Sequence, residues 1–227
     1  MTIHEHLTAL HNRPVFRFPE AGSPEELPAA DAVAWRISVD SYTEGAETFA
    51  ECWRRFTGTV DPAGVRAIVI GVWGDVVTDI SASAAAVEVI AGSADRLTGL
   101  EALFFGDIVM EEAEISWIQQ ADVTPLLDAY PTLRCFGVRG GYGLALGPVR
   151  HQGLSTLRVE TGGLPASVVH TVITSELPAL EKLSLWLGDP NYGADTELSD
   201  LEPLLAGGRF PNLVHLGLCN SVLQDEI

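Results

Sequence analysis

Apolar positions along the chain recur in a six-residue template: an aliphatic residue, two others, an aliphatic or aromatic residue, one other, and a second aliphatic or aromatic residue. It reads Val65-Arg-Ala-Ile68-Val-Ile70, Leu100-Glu-Ala-Leu103-Phe-Phe105, Leu133-Arg-Cys-Phe136-Gly-Val138, Leu154-Ser-Thr-Leu157-Arg-Val159, Leu180-Glu-Lys-Leu183-Ser-Leu185 and Leu213-Val-His-Leu216-Gly-Leu218. Ala34-Trp-Arg-Ile37-Ser-Val39 is a weaker first copy. Successive copies start 31, 35, 33, 21, 26 and 33 residues apart, around or somewhat beyond the roughly 20–29 residues of a leucine-rich repeat. Three copies are introduced by one phrase, Tyr130-Pro-Thr-Leu133, Leu177-Pro-Ala-Leu180 and Phe210-Pro-Asn-Leu213, and Asp122-Val-Thr-Pro-Leu-Leu127 resembles Asp200-Leu-Glu-Pro-Leu-Leu205.

Template positions four and six lie two apart, so on a strand they point to one side, while positions five and seven point to the other. A unit this small cannot bury its apolar side alone. Stacking the units gives one continuous core beneath a parallel sheet. Between strands the period changes to a helical one: Phe49, Cys52, Trp53 and Phe56; Val87, Ile90, Ala91 and Ala94; Val123, Leu126, Leu127 and Tyr130; Val168, Val169, Val172 and Ile173; Leu201, Leu204 and Leu205. Residues 140–153, rich in glycine and broken by Pro148, are too short and interrupted for a helix.

The expected fold class is therefore α/β, a leucine-rich-repeat solenoid with a curved parallel sheet on its concave side and helices on its convex side. Residues 1–30 are expected to form an N-terminal cap segment and residues 31–227 about seven irregular units. A doubly wound α/β fold also alternates strands and helices, but the recurring template favours the solenoid. The chain resembles the leucine-rich-repeat superfamily, its helix-bearing units the ribonuclease-inhibitor type. The segments WRISVDSY, EISWIQQADVTPLL, GVRGGYGL, ETGGLP and WLGDPNYGAD are similar to a narrower family of stand-alone bacterial cytoplasmic repeat proteins. That resemblance covers most of residues 30–227 and implies a fold, with no catalytic residue and no cofactor. The ninth template position, usually Asn in the superfamily, is Ile108, Gly141, Gly162, Gly188 or Ser221 here, so the usual side-chain ladder between turns is expected to be absent or replaced. The sequence ends at Gln224-Asp-Glu-Ile227, directly after the last template, where a polar cap is expected. A truncated chain, an atypical cap and self-association across that end all remain open.

Composition narrows the function. With 227 residues and 47% hydrophobic content the chain can bury a substantial core. A formal charge of −18, from 31 acidic and 13 basic residues, argues against nucleic acid and anionic membrane as partners. The N-terminus lacks a cationic start followed by an apolar run, no segment reaches the roughly 18 apolar residues of a membrane span, and the three cysteines, Cys52, Cys135 and Cys219, form no disulfide framework. These features lead to an expectation of a cytoplasmic protein.

Candidate chemistry is sparse. Asp75, Asp79, Asp107, Glu111, Glu112, Glu114, Asp189, Asp195 and Glu197 follow strands; gathered on one rim they could hold a hard cation or supply an acid and a base, which makes a metal-dependent hydrolase the alternative function. Their spacing matches no known metal loop, and a solvated acidic rim is the preferred reading. His4 and His6, two apart, could share a metal, with His11 nearby, but incidental histidines are preferred. No Gly-x-Ser-x-Gly, HExxH or phosphate-binding glycine loop occurs. The expectation is a non-enzymatic scaffold without cofactor or metal, binding a protein or peptide through outward strand residues. Trp73, Phe104, Arg139, Arg158, Glu160 and Trp186 are the candidate contacts, because Trp and Arg dominate interface energetics.

Overall fold

The structure is a computed structural model that describes residues 2–40, 43 and 45–223. The terminal residues 224–227, where an abrupt end was expected, lie outside the described residues. Within the described residues nine strands form one sheet: β1 (Ala9–Leu10), β2 (Arg13–Arg17), β3 (Ala34–Ile37), β4 (Ala67–Ile70), β5 (Ala102–Phe105), β6 (Cys135–Arg139), β7 (Thr156–Glu160), β8 (Lys182–Gly188) and β9 (His215–Ser221). Spatial order follows chain order throughout. The first pair is antiparallel and every later pair parallel. Five α-helices lie between the strands: α1 (Phe49–Thr59), α2 (Ile80–Ala91), α3 (Thr124–Ala129), α4 (Ala166–Thr174) and α5 (Leu198–Leu205). This α/β arrangement is compatible with a solenoid-like fold. As the broken 140–153 segment predicts, β6 and β7 are joined without a helix.

In six template copies the strand begins at the third residue. The first copy needs a correction of register: Trp35 pairs with Ile68 and Ile37 with Ile70, so its fourth and sixth positions are Trp35 and Ile37 instead of Ile37 and Val39. The shift is by two residues and leaves the buried face unchanged. Trp35, an aromatic residue at template position four in the corrected register, is the residue that fills the core position.

Positions four and six form the floor of one core. Ile68, Ile70, Leu103, Phe105, Phe136, Val138, Leu157, Val159, Leu183 and Leu185 are buried there against the inner stripes of all five helices, among them Phe56, Ile90, Leu126, Val169 and Leu201. Each such side chain contributes roughly 1.5–3 kcal/mol through removal from water. All helices thus cover one face of the sheet. The helices start where their sequences supply caps: α1 carries a capping box, in which Thr48 accepts from the Glu51 backbone N–H and Glu51 accepts from that of Thr48.

The turns after the strands are stapled by side chains other than Asn. Ser38 Oγ accepts from Val72 N–H at 3.0 Å, Gln120 Nε2 donates to the Arg139 carbonyl at 2.7 Å while its Oε1 accepts from Ser83, and Thr161 Oγ1 donates to the Trp186 carbonyl at 2.9 Å. Gly188 follows the inner positions of β8 with φ +81°, where a Cβ would overlap the backbone of Gly162; only glycine permits adjacent turns to approach this closely.

The N-terminal segment does more than cap an end. His11 and Asn12 adopt left-handed conformations, φ 49° and 62°, forming a two-residue hairpin turn between β1 and β2. β2 extends the sheet, while the residues before the turn fold back over the sheet face that the helices leave free. Ala34, Ala67 and Ala102 pair in one row across β3, β4 and β5. Three small side chains in register leave a shallow groove, and Leu10 packs into it with Val69 and Phe104.

Candidate binding face

The sheet face opposite the helices is built from outward rows. One row runs from the alanines through Cys135 and Thr156 to Lys182 and His215; the next runs through Val69, Phe104, Gly137, Arg158, Ser184 and Gly217. The two halves of this face differ. Over β3 to β5 lies the N-terminal strap: Ile3 accepts from the Met110 N–H at 2.7 Å, Leu7 N–H donates to Asp107 at 3.1 Å, and His11 Nε2 lies 3.8 Å from Glu101. Over β6 to β9 the outward side chains of Thr156, Arg158 and Ser184 are half-buried, and those of Lys182 and His215 are exposed.

A chain of buried charges spans both halves, from Arg36 on β3 to Glu160 on β7. Arg36 Nε donates to Asp107 Oδ2 at 3.0 Å, Arg139 Nη1 approaches Asp107 Oδ1 at 3.4 Å, and Arg139 Nε donates to Glu160 Oε2 at 2.8 Å. Arg158 pairs with the other Glu160 oxygen. Arg139 also donates to the Ile108 carbonyl, and Arg36 to that of Asp107. His6 Nδ1 lies 3.2 Å from Asp107 Oδ2. Burial pushes the Asp107 carboxyl up, but the His6 bond, the Arg36 charge, the Leu7 N–H and the Arg139 charge outweigh it and hold the group below its ordinary value. The Phe104 ring lies over Gly137, where a Cβ would overlap it, and the Arg139 and Arg158 guanidiniums stand 5.3 and 5.9 Å from its centroid.

The six residues singled out from sequence fall into distinct places. Arg158 is on the outward face with its side chain 40% exposed. Trp186 is outward by parity and packed down to 9% exposure. Phe104, Arg139 and Glu160 are buried as the floor and ion-pair network beneath Arg158. Trp73 is not on this face: it stacks on Phe105 at 4.6 Å within the helix-side core. Trp73 lies three residues past the end of β4 at Ile70, where the chain leaves the sheet and alternation no longer holds. The same parity, extended to template position three of every copy, points also to Arg36, Lys182 and His215, which the candidate contacts leave out.

No family model matches the chain, and no curated protein matches it. A Bacteroides fragilis protein, solved as a crystal structure by the Northeast Structural Genomics Consortium, is similar at 36% identity with a TM-score of 0.71. The likeness covers 77% of this chain and 49% of that one. The chain spans about half the length of that protein, whose description states no activity.

Acids of the expected rim are held by hydrogen bonds within the protein, most of them local. Asp75 accepts from the Val77 and Thr78 N–H groups, Asp79 caps α2 through Ser81 N–H at 2.9 Å, Asp189 accepts from Asn191, Asp195 from the N–H of Ala166, and Glu114 from Ser116. The Thr78 and Ser81 hydroxyls and backbone N–H groups keep the Asp75 and Asp79 carboxyls low. Glu111 Oε1 lies 2.9 Å from His4 Nδ1, and Glu112 lies 3.7 Å from His6, so the N-terminal histidines face the carboxylates of this loop. Among the described residues no three His, Cys, Asp or Glu side chains converge as a metal-binding group. Burial raises the Cys52 and Cys135 thiols to about 11, so both are protonated and weakly nucleophilic at neutral pH. No helix among the described residues is long and apolar enough to cross a membrane.

Proposed function

We propose that the protein is a leucine-rich-repeat solenoid that serves as a cytoplasmic interaction scaffold, engaging a protein or peptide on the sheet face opposite its helices. The observation that carries this reading is the division of that face. The β3–β5 half is already occupied by an extended segment of the chain itself, whereas on the β6–β9 half, among the described residues, Lys182 and His215 are exposed and Arg158 and Ser184 half-buried on the outward side. Arg158 stands over a fixed floor with the packed Trp186 beside it, and Arg and Trp are the residues enriched among interface hot spots. The floor is held by buried ion pairs, so the face is preorganised and little ordering entropy is lost on binding.

Affinity capture from native lysate tests the proposal, comparing the wild-type chain with Arg158→Ala combined with Trp186→Ala. The double variant is expected to lose at least about tenfold in recovered partner, the scale of a single hot spot of about 2 kcal/mol. Identical recovery from both chains, with matching thermal melts, overturns the assignment of this face.

A further inference from the structure

We infer that the uncovered β6–β9 half of the face takes an extended, acidic peptide segment. The inference rests on the scaffold reading above and adds the chemistry of the partner. Across the outward positions of β6 to β9 the acidic side chain is Glu160, fully buried and matched by Arg139 and Arg158. The exposed side chains with nitrogen heads there are Lys182 and His215, beside the half-buried Arg158 that is paired with Glu160. Lys182 is the single lysine of a chain that carries 31 acidic residues, and it stands directly beside His215 across the β8–β9 pair. Among the described residues neither has an ion-pair partner. A cationic face on a molecule of charge −18 is complementary to carboxylates locally while the rest of the surface repels them. A polyphosphate backbone meets that repulsion along its length; a short peptide with a few acidic side chains does not.

Relief and precedent agree with charge. Ser184 and Gly217 pair side by side, and Gly217 adds no side chain to the row, so a main chain approaching the sheet there meets the Ser184 hydroxyl and the His215 ring, whose polar atoms stand 3.5 Å from the place of a Gly217 Cβ. The strap shows how such a chain lies on the other half: extended, with Leu10 in the small-residue row and His6 facing the carboxylate of Asp107. On the strapped half the carboxylate is the fixed group and the extended segment brings the imidazole. On the free half the fixed groups are cations, and the complementary segment brings the carboxylates.

Selection of a random twelve-residue peptide library displayed on phage, against the full chain, tests this. Binders enriched in Asp and Glu are expected. A fluorescein-labelled acidic binder should then bind about tenfold more weakly to Lys182→Glu/His215→Glu, two exposed positions outside the buried pairs, and more weakly to the wild-type chain in 300 mM than in 50 mM salt. Circular dichroism melts check that the double variant is folded. Acidic binders unaffected by the double variant, or single-stranded oligonucleotides that displace them from the face with equal affinity, overturn the inference. Uncharged or basic binders that are lost with Arg158→Ala/Trp186→Ala overturn it too, while leaving the scaffold reading in place. A library that yields no binder counts against both.

Discussion

At the scale of single residues, the molecule depends on charges placed where charges are costly. Arg139 is 2% exposed and joins Asp107 to Glu160. Its removal leaves two buried carboxylates short of a partner, each still bound on one side by Arg36 or Arg158. Breaking a buried pair costs about 3–5 kcal/mol, so Arg139→Met is expected to lower the unfolding free energy by about 3 kcal/mol, read from urea midpoints. Asp107 makes the network sensitive to acid. Its carboxyl is held below the ordinary value, so the fold binds the ionised form. That stabilisation is fully present above the unfolded value of about 3.9 and is lost as pH falls from there through the folded value. Urea unfolding of the wild-type chain should therefore weaken more steeply below about pH 4 than that of Asp107→Asn. Equal slopes for the two would remove Asp107 from the acid response.

At the scale of elements, the β1–β2 hairpin is the one whose role depends most on its surroundings. The strap is held by Leu10 in the alanine groove and by bonds to Asp107, Glu111 and Met110. An aspartate at position 10 would desolvate a charge against Ala67, Ala102 and Phe104. Leu10→Asp is expected to release residues 3–10, seen as loss of amide-exchange protection there, with β2 protection retained because β2 pairs independently with β3. Loss of protection throughout β3 to β5 would instead make the strap an integral part of the sheet. α1 offers a simpler case: Thr48→Ala removes one half of its capping box and should cost about 1 kcal/mol, measured by thermal melt.

At the scale of the whole molecule, one core runs from Phe18 to Phe210 beneath the parallel strands. Neighbouring strands and the helices over them share that core, so loss of one strand exposes apolar surface on the next. Leu183→Ala, at a fully buried position in β8, is expected to cost about 2–5 kcal/mol and to lower a single cooperative transition. Two separate calorimetric transitions would show that the stack breaks into independent parts. The charge of −18 acts on the same scale, and screening of that repulsion should raise the melting temperature between 10 and 200 mM salt.

The sequence by itself determined the elements and the inner face. A template spaced at positions one, four and six can bury its apolar side only as a strand stacked on like strands, and the helical stripes between copies have no other face to cover. Leu183, Leu185, Val169 and Leu201 were legible as core for that reason. Tertiary structure decided which outward residues remain accessible. Parity assigns a side chain to a face but not what lies above it, so the burial of this network depended on distant contacts: Arg139 meets Glu160 and Asp107 across 21 and 32 residues, and the strap meets Asp107 across 100. The packing of Trp73 against Phe105 depended on where β4 ends. Local spacing carries periodicity because periodicity is a property of neighbouring backbone angles; charge pairing and the seat of Leu10 are properties of distant segments brought together, and no local pattern encodes them.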